Sequence, residues 1–160
     1  MPTMIVTGAA SGLGKCIAEH AARAGYKVGV LDLRLEQAQL VAESIGGMAL
    51  QADVTDLPSV ERAFDDFGET PDVLVNNAGM ADAQYATKID DQMFDQVMNT
   101  NLEGPWILSC AVAERLMRAQ RPGRIINIAS MLSFQGGIRV PSYTSSKSGV
   151  LGLTRLMANE

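Results

Sequence analysis

Five short apolar runs recur along the chain: MIVT (4–7), KVGVLD (27–32), MALQAD (48–53), DVLVNN (72–77) and RIINIAS (124–130). A strand with one wet face alternates apolar and polar residues with period two, whereas these runs keep Val, Ile and Leu together. They are strands covered on both faces, the pattern of a parallel sheet. Amphipathic stretches near 12–24, 35–45, 58–67, 91–119 and 143–159 occupy the intervals and predict helices. Regular strand–helix alternation implies a doubly wound α/β fold with right-handed crossovers. With no repeat, low-complexity tract or linker, the 160 residues are expected to form one domain.

A doubly wound sheet binds ligands beyond the carboxyl ends of its strands. Those ends are expected at Thr7-Gly8, Asp32, Asp53-Val54, Asn76 to Gly79, and Ala129-Ser130, and all five carry small or polar groups. The first of them opens TGAASGLG (7–14), which joins a strand to a helix. Gly8 suits a tight turn, Gly12 a close backbone approach to a ligand, and Gly14 a close approach of helix to sheet. The unpaired N–H groups and partial positive charge of the helix N-terminus suit a pyrophosphate. A nucleoside-triphosphate loop is excluded, because Ala9 stands where that motif needs Gly and Cys16 where it needs Ser or Thr. Asp32 follows Gly12 by 20 residues and can accept hydrogen bonds from the adenosine ribose hydroxyls. Its charge would repel a 2′-phosphate, which favours NAD over NADP, although Arg34 lies close by.

Other ligand classes are disfavoured by composition. The chain carries 13 basic and 18 acidic residues, a net charge of -5 that repels phosphate backbones, so no nucleic-acid partner is expected. No stretch approaches the roughly 18 uninterrupted apolar residues of a membrane span, and no basic hydrophobic leader precedes the first strand, so cytoplasm is the expected compartment. The two cysteines, Cys16 and Cys110, are expected as reduced, partly buried thiols. A single histidine, His20, falls off the apolar stripe of the first helix and reads as solvated, and no metal site is visible.

In SYTSSKSG (142–149) a phenol, Tyr143, stands four residues before an ammonium, Lys147. Residues four apart share a helical face. A cation at ~5 Å favours the phenolate by about 3 kcal/mol at an effective dielectric of ~20, which makes the pair a candidate proton shuttle. Ser130 is expected to close the fifth strand, with a hydroxyl able to donate to a carbonyl oxygen that gains negative charge. Asn101 falls on the apolar stripe Phe94, Met98, Leu102, Pro105 and Leu108 of the long fourth helix. Pro105 has no N–H, so the Asn101 carbonyl loses its helical donor, can hold a water, and the helix should bend.

Together, TGAASGLG, Asp32, Asp53-Val54, NNAG (76–79), NLEG (101–104), Ser130 and YTSSK (143–147) resemble the short-chain dehydrogenase/reductase family in its Ser-Tyr-Lys-Asn form. The resemblance implies Tyr143 as general acid/base and Lys147 as its partner, both also contacting the nicotinamide ribose. It implies Ser130 as substrate polariser and Asn101 as water holder. Thr7, Gly8, Ser11, Gly12, Leu13 and Gly14 would cradle the dinucleotide, with Asp32, Asp53, Val54, Asn77, Ala78 and Gly79 along the adenosine side. A basic residue usually stands at the position of Ser11 in NADP-using relatives, which again implies NAD. The last quarter is similar to sugar-acid dehydrogenases of the family, implying a small-molecule alcohol or ketone as substrate, with Arg139 either a contact for its carboxylate or an exposed or subunit-contact residue. The rival reading is a non-catalytic dinucleotide-binding or redox-sensing module, which would need only the glycine loop and Asp32. The resemblance further implies that this Rossmann-like domain is truncated after the fifth strand and its following helix, lacking a substrate-covering region, and that the full-length protein is a homo-oligomer. The chain is expected to be an N-terminal fragment, whose turnover by itself is left open; the alternative, a natural short dehydrogenase, would need an oligomer to cover the exposed surface.

Overall fold

Successive residues of a strand face opposite sides of the sheet, and β1 (Thr3–Thr7) sorts its side chains in that way. The computed structural model describes residues 1–160. Ile5 faces one layer with Leu31, Leu50 and Leu74, packed under Val60, Phe64, Phe67, Leu108 and Val112. Met4 and Val6 face the other, with Val28, Val30, Val73 and Val75, packed under Ala18, Ala21, Ala38, Val41 and Ala42. The unalternating runs thus reflect two cores, one on each face of a single sheet.

The remaining strands are β2 (Lys27–Asp32), β3 (Met48–Gln51), β4 (Val73–Asn76) and β5 (Arg124–Asn127). All pairings are parallel, in the order β3-β2-β1-β4-β5. The order reverses at β1, whose neighbours are β2 and β4, so the crevice of a doubly wound sheet opens beyond Thr7. Strands β3, β4 and β5 are shorter than their apolar runs. Asp53 lies two residues past β3, and Ser130 lies three residues past β5 instead of closing it.

Helices α1 (Gly12–Arg23), α2 (Leu35–Ile45), α3 (Leu57–Phe67), α4 (Asp91–Met98), α5 (Gly104–Arg118) and α6 (Pro141–Met157) fill the intervals. Asp56 caps α3 by accepting from the Ser59 amide at 3.1 Å, and Asp90 caps α4 through the Met93 amide at 2.7 Å. Neither α1 nor α6 has such a cap: Ser11 and Val140 make no side-chain bond to their helix. Arg115 of α5 holds α3 through Glu61 and Asp65 and lies over Phe64, with its guanidinium carbon 5.3 Å from the ring centroid.

The helix expected over 91–119 is two helices joined by a π-helical turn at Asn99–Glu103. Across it the Gly104 amide reaches back to the Asn99 carbonyl, five residues earlier. Pro105 follows directly and has no amide to give, so the change in backbone pitch comes where the missing donor was expected to disturb the helix. Cys16 is exposed and Cys110 is half-buried, both free, which corrects the expectation of burial for Cys16. His20 is exposed as expected. No helix is long and apolar enough to cross a membrane, and no group of three or more His, Cys, Asp or Glu side chains could hold a metal.

Candidate active site

The first intrahelical bond of α1 runs from the Lys15 amide to the Ser11 carbonyl. The amides of Gly12, Leu13 and Gly14 therefore have no acceptor within the helix, and no side-chain cap covers them. Gly12 adopts φ +56°, and a methyl group there would point into open space, so the loop leaves room for a ligand beside those amides. Gly14 is needed for a different reason: a Cβ would stand 2.3 Å from the Gly8 carbonyl oxygen and 2.4 Å from Asn77 Nδ2. That approach is what lets Asn77 Nδ2 bond the Thr7 carbonyl at 2.9 Å, stitching the loop after β4 to the glycine loop.

A cleft of about 740 Å³ opens at the carboxyl ends of β1 to β4. Of the residues expected to hold a dinucleotide, Gly8, Ser11, Asp32, Asp53, Val54, Asn77, Ala78 and Gly79 line it. Thr7 does not: it is buried behind the wall, where its hydroxyl accepts from the Asn77 amide at 3.0 Å and the Ala78 amide at 2.9 Å. Leu13 is exposed at the mouth of α1, and Gly14 is buried against Gly8. Arg34, noted in the sequence only as a neighbour of Asp32, also lines the cleft, as do Thr55, Met80, Gln96, Asn99 and Thr100, which the sequence did not single out. The last three arrive on α4 and the π turn, distant in sequence from every glycine motif. A cleft of this size, with free helical amides, a carboxylate and open space at Gly12, fits a dinucleotide.

Asp32 already has partners within the chain. It is 8% exposed, with Oδ2 accepting from the Ala10 amide at 3.1 Å and Oδ1 from the Arg34 amide at 3.1 Å. Arg34 Nε approaches Oδ1 at 3.4 Å, and Arg34 Nη2 donates to Ser11 Oγ at 3.5 Å. The guanidinium therefore offsets the negative charge that would repel a 2′-phosphate, and it stands beside Ser11 at the cleft wall.

The four residues expected to be catalytic lie outside this lining, around α6. Lys147 is buried, with Nζ 5.8 Å from the Tyr143 ring centroid and 2.6 Å from the Ile128 carbonyl, to which it donates. Burial pushes its pKa below the ordinary lysine value. Ser130 Oγ accepts from the Leu132 amide at 3.2 Å, at the head of a short 3₁₀ turn, Met131–Ser133, and its own proton remains free to donate. The same turn is pinned to α6, because Ser133 Oγ accepts from the Ser130 amide and donates to the Lys147 carbonyl at 2.6 Å.

The Asn101 side chain is wholly buried and acts as a clamp. Its Oδ1 accepts from the Met80 amide at 2.9 Å, and its Nδ2 donates to the Met80 carbonyl at 2.8 Å and to Ser146 Oγ at 3.1 Å. Arg139 is exposed, its Nη2 donates to the Ala83 carbonyl at 3.2 Å, and its guanidinium lies over the Tyr85 ring.

A family model for short chain dehydrogenases matches residues 2–160. The chain is 43% identical over 163 residues to the 2-dehydro-3-deoxy-D-gluconate 5-dehydrogenase of Dickeya dadantii (strain 3937), a match covering 98% of this chain and 64% of the relative. It is similar to a structure from Agrobacterium tumefaciens with bound NADP, provisionally described as a 2-deoxy-D-gluconate 3-dehydrogenase: TM-score 0.88, 41% identity, 99% of this chain and 65% of that one. A crystal structure described as ribose-5-phosphate isomerase from Brucella melitensis 16M gives TM-score 0.92 at 32% identity, over 99% of this chain and 62% of that one. That name denotes another reaction, and the likeness is one of fold. The chain thus spans somewhat under two thirds of the length of the relatives it matches. With a family match running from residue 2 to residue 160, the chain belongs to the short-chain dehydrogenase family.

Proposed function

We propose that the protein is a nicotinamide-dinucleotide-dependent oxidoreductase acting on a secondary alcohol or ketone of a sugar acid, with 2-dehydro-3-deoxy-D-gluconate as the leading candidate. The observation that carries the reading is the union of an uncapped glycine-loop helix beside a large cleft with a buried Lys147 over the ring of Tyr143. A bound dinucleotide supplies the hydride acceptor or donor. The amides of Gly12 to Gly14 would bind its pyrophosphate, Asp32 its ribose hydroxyls, and Asp53, Val54 and Asn77 to Gly79 would line its adenosine side.

Tyr143 would take or give the proton at its phenol oxygen, with the Lys147 amine at its ring favouring the charge that appears there. The free proton of Ser130 would polarise the substrate carbonyl. The backbone carbonyl of Asn101 would hold a water on the proton path, while its side chain fixes Met80. NAD is the favoured cofactor because Asp32 ends β2, and a second reading, NADP, is favoured by Arg34 at the carboxylate and by the NADP-bound relative. The cytoplasm and a homo-oligomer complete the proposal. Measuring dinucleotide-linked turnover, with NAD(H) and NADP(H), across sugar acids, neutral polyols, a neutral steroid and an acyl thioester tests it. Turnover of a sugar acid supports the reading, and a preference for a neutral steroid or an acyl thioester overturns it.

A further inference from the structure

Helix α6 begins at Pro141 without a cap from its own sequence, since Val140 offers no side-chain acceptor. The acceptor comes instead from the loop after β4. Asp82 is 5% exposed, and its Oδ1 accepts from Ser142 Oγ at 2.8 Å and from the Tyr143 amide at 3.3 Å. The carbonyl of the same tyrosine accepts from Ser146 Oγ at 2.9 Å, and Ser146 Oγ in turn accepts from Asn101 Nδ2. Asn101 holds both backbone groups of Met80, two residues before Asp82. Both polar backbone groups of Tyr143 are therefore tied to the 80–82 segment, the N–H directly and the C=O through two side chains. Met80, at one end of that segment, lines the cleft.

The arrangement has a cost concentrated at this turn. Three buried side-chain polar atoms lack a hydrogen-bond partner, and two of them are Asp82 Oδ2 and Thr144 Oγ1. A buried carboxylate with one unpaired oxygen is a poor choice for stability alone. A capping Asp or Asn within the chain's own helix start would serve that purpose without burial, as Asp56 and Asp90 do for α3 and α4.

We propose that Asp82 is a positioning residue for Tyr143, capping α6 from the cleft-lining loop so that the phenol is held at a fixed reach from the dinucleotide. This rests on the oxidoreductase reading for its catalytic consequence, although the clamp itself can be measured without turnover. What matters is the acceptor at Oδ1, which Asn can supply and Ala cannot.

Amide hydrogen exchange at Tyr143 and dinucleotide-linked kcat and KM are measured together, on the full-length protein, in wild type, Asp82→Ala, Asp82→Asn and Ser142→Ala. Asp82→Ala should speed exchange at Tyr143 and lower kcat by about 10- to 100-fold with the dinucleotide KM unchanged. Asp82→Asn should restore most of both quantities. Ser142→Ala, which removes one of the two bonds to Oδ1 and keeps the carboxylate, should give a smaller loss of kcat, and it carries the comparison if Asp82→Ala does not fold. Unchanged exchange in Asp82→Ala, unchanged kcat despite faster exchange, or a kcat in Asp82→Asn as low as in Asp82→Ala would overturn the proposal. A wild type that protects the Tyr143 amide through Asp82 yet turns nothing over counts against the oxidoreductase reading and removes the catalytic role with it, leaving the clamp as structure only.

Discussion

Lys147 stands one helical turn beyond Tyr143 on α6, with its Nζ 5.8 Å from the tyrosine ring centroid. The amine is turned inward and spends a short bond on the Ile128 carbonyl, so the segment after β5 holds it in place. Ser133 holds the Lys147 backbone to the same segment. The backbone of Tyr143 is thus tied to residues 80–82, and Lys147 to residues 128–133.

Burial of Lys147 has a measurable pH signature. Its pKa in the folded chain lies below the ordinary 10.5, so between the two values the unfolded chain binds more protons than the folded one. Stability from this group therefore rises with pH across that interval, levelling off above 10.5. Thermal melts of wild type and Lys147→Met isolate the effect. The wild type should gain on the variant as pH is raised toward 10.5, and a difference that shrinks or stays flat would contradict the burial.

The two glycines of the α1 turn should fail differently. Gly12→Ala places a side chain at φ +56° but meets no atom, so it should cost about 1–2 kcal/mol of stability. Because it fills the open space beside the free amides, it should also weaken dinucleotide binding. Gly14→Ala drives a methyl into the Gly8 carbonyl and Asn77 and should cost about 1–3 kcal/mol or more. Chemical denaturation and calorimetric titration with NADH distinguish them.

Asp32 and Arg34 should pull cofactor choice in opposite directions. Arg34→Ala should weaken NADP binding more than NAD binding, since it removes the only cation paired with Asp32. Asp32→Ala should weaken NAD binding by about 10- to 100-fold, the worth of a charge-assisted hydrogen bond. Titration of each variant with both dinucleotides checks the pair.

The sheet and the glycine loop were legible because their causes are local. Val, Ile and Leu in unbroken runs announce two covered faces, and a positive φ at Gly12 announces itself as glycine. Arg34 was noticed as a neighbour, but its closure on Asp32 and Ser11 depends on how the loop after β2 turns. Gln96, Asn99 and Thr100 reach the cleft from α4 and the π turn, and no spacing in the sequence reports that approach. Asn101 was read by its backbone, whereas its side chain turns out to secure Met80, a contact across 21 residues. Asp82 left no signal at all, because it caps a helix that starts 59 residues later.

Asn101→Ala should therefore act first on stability. It leaves the half-buried Met80 amide and carbonyl without their partners, a loss of about 1–3 kcal/mol. Exchange at the Met80 amide should rise more than at the strands, and an unchanged melt would contradict the clamp.

The most direct test of the account is NAD⁺ reduction with 2-dehydro-3-deoxy-D-gluconate by the full-length protein and its Tyr143→Phe variant, compared at equal NAD⁺ occupancy fixed by calorimetric titration. At equal occupancy the variant should turn over about 100- to 10,000-fold more slowly, the usual share of a positioned acid/base. Equal rates at equal occupancy would contradict it.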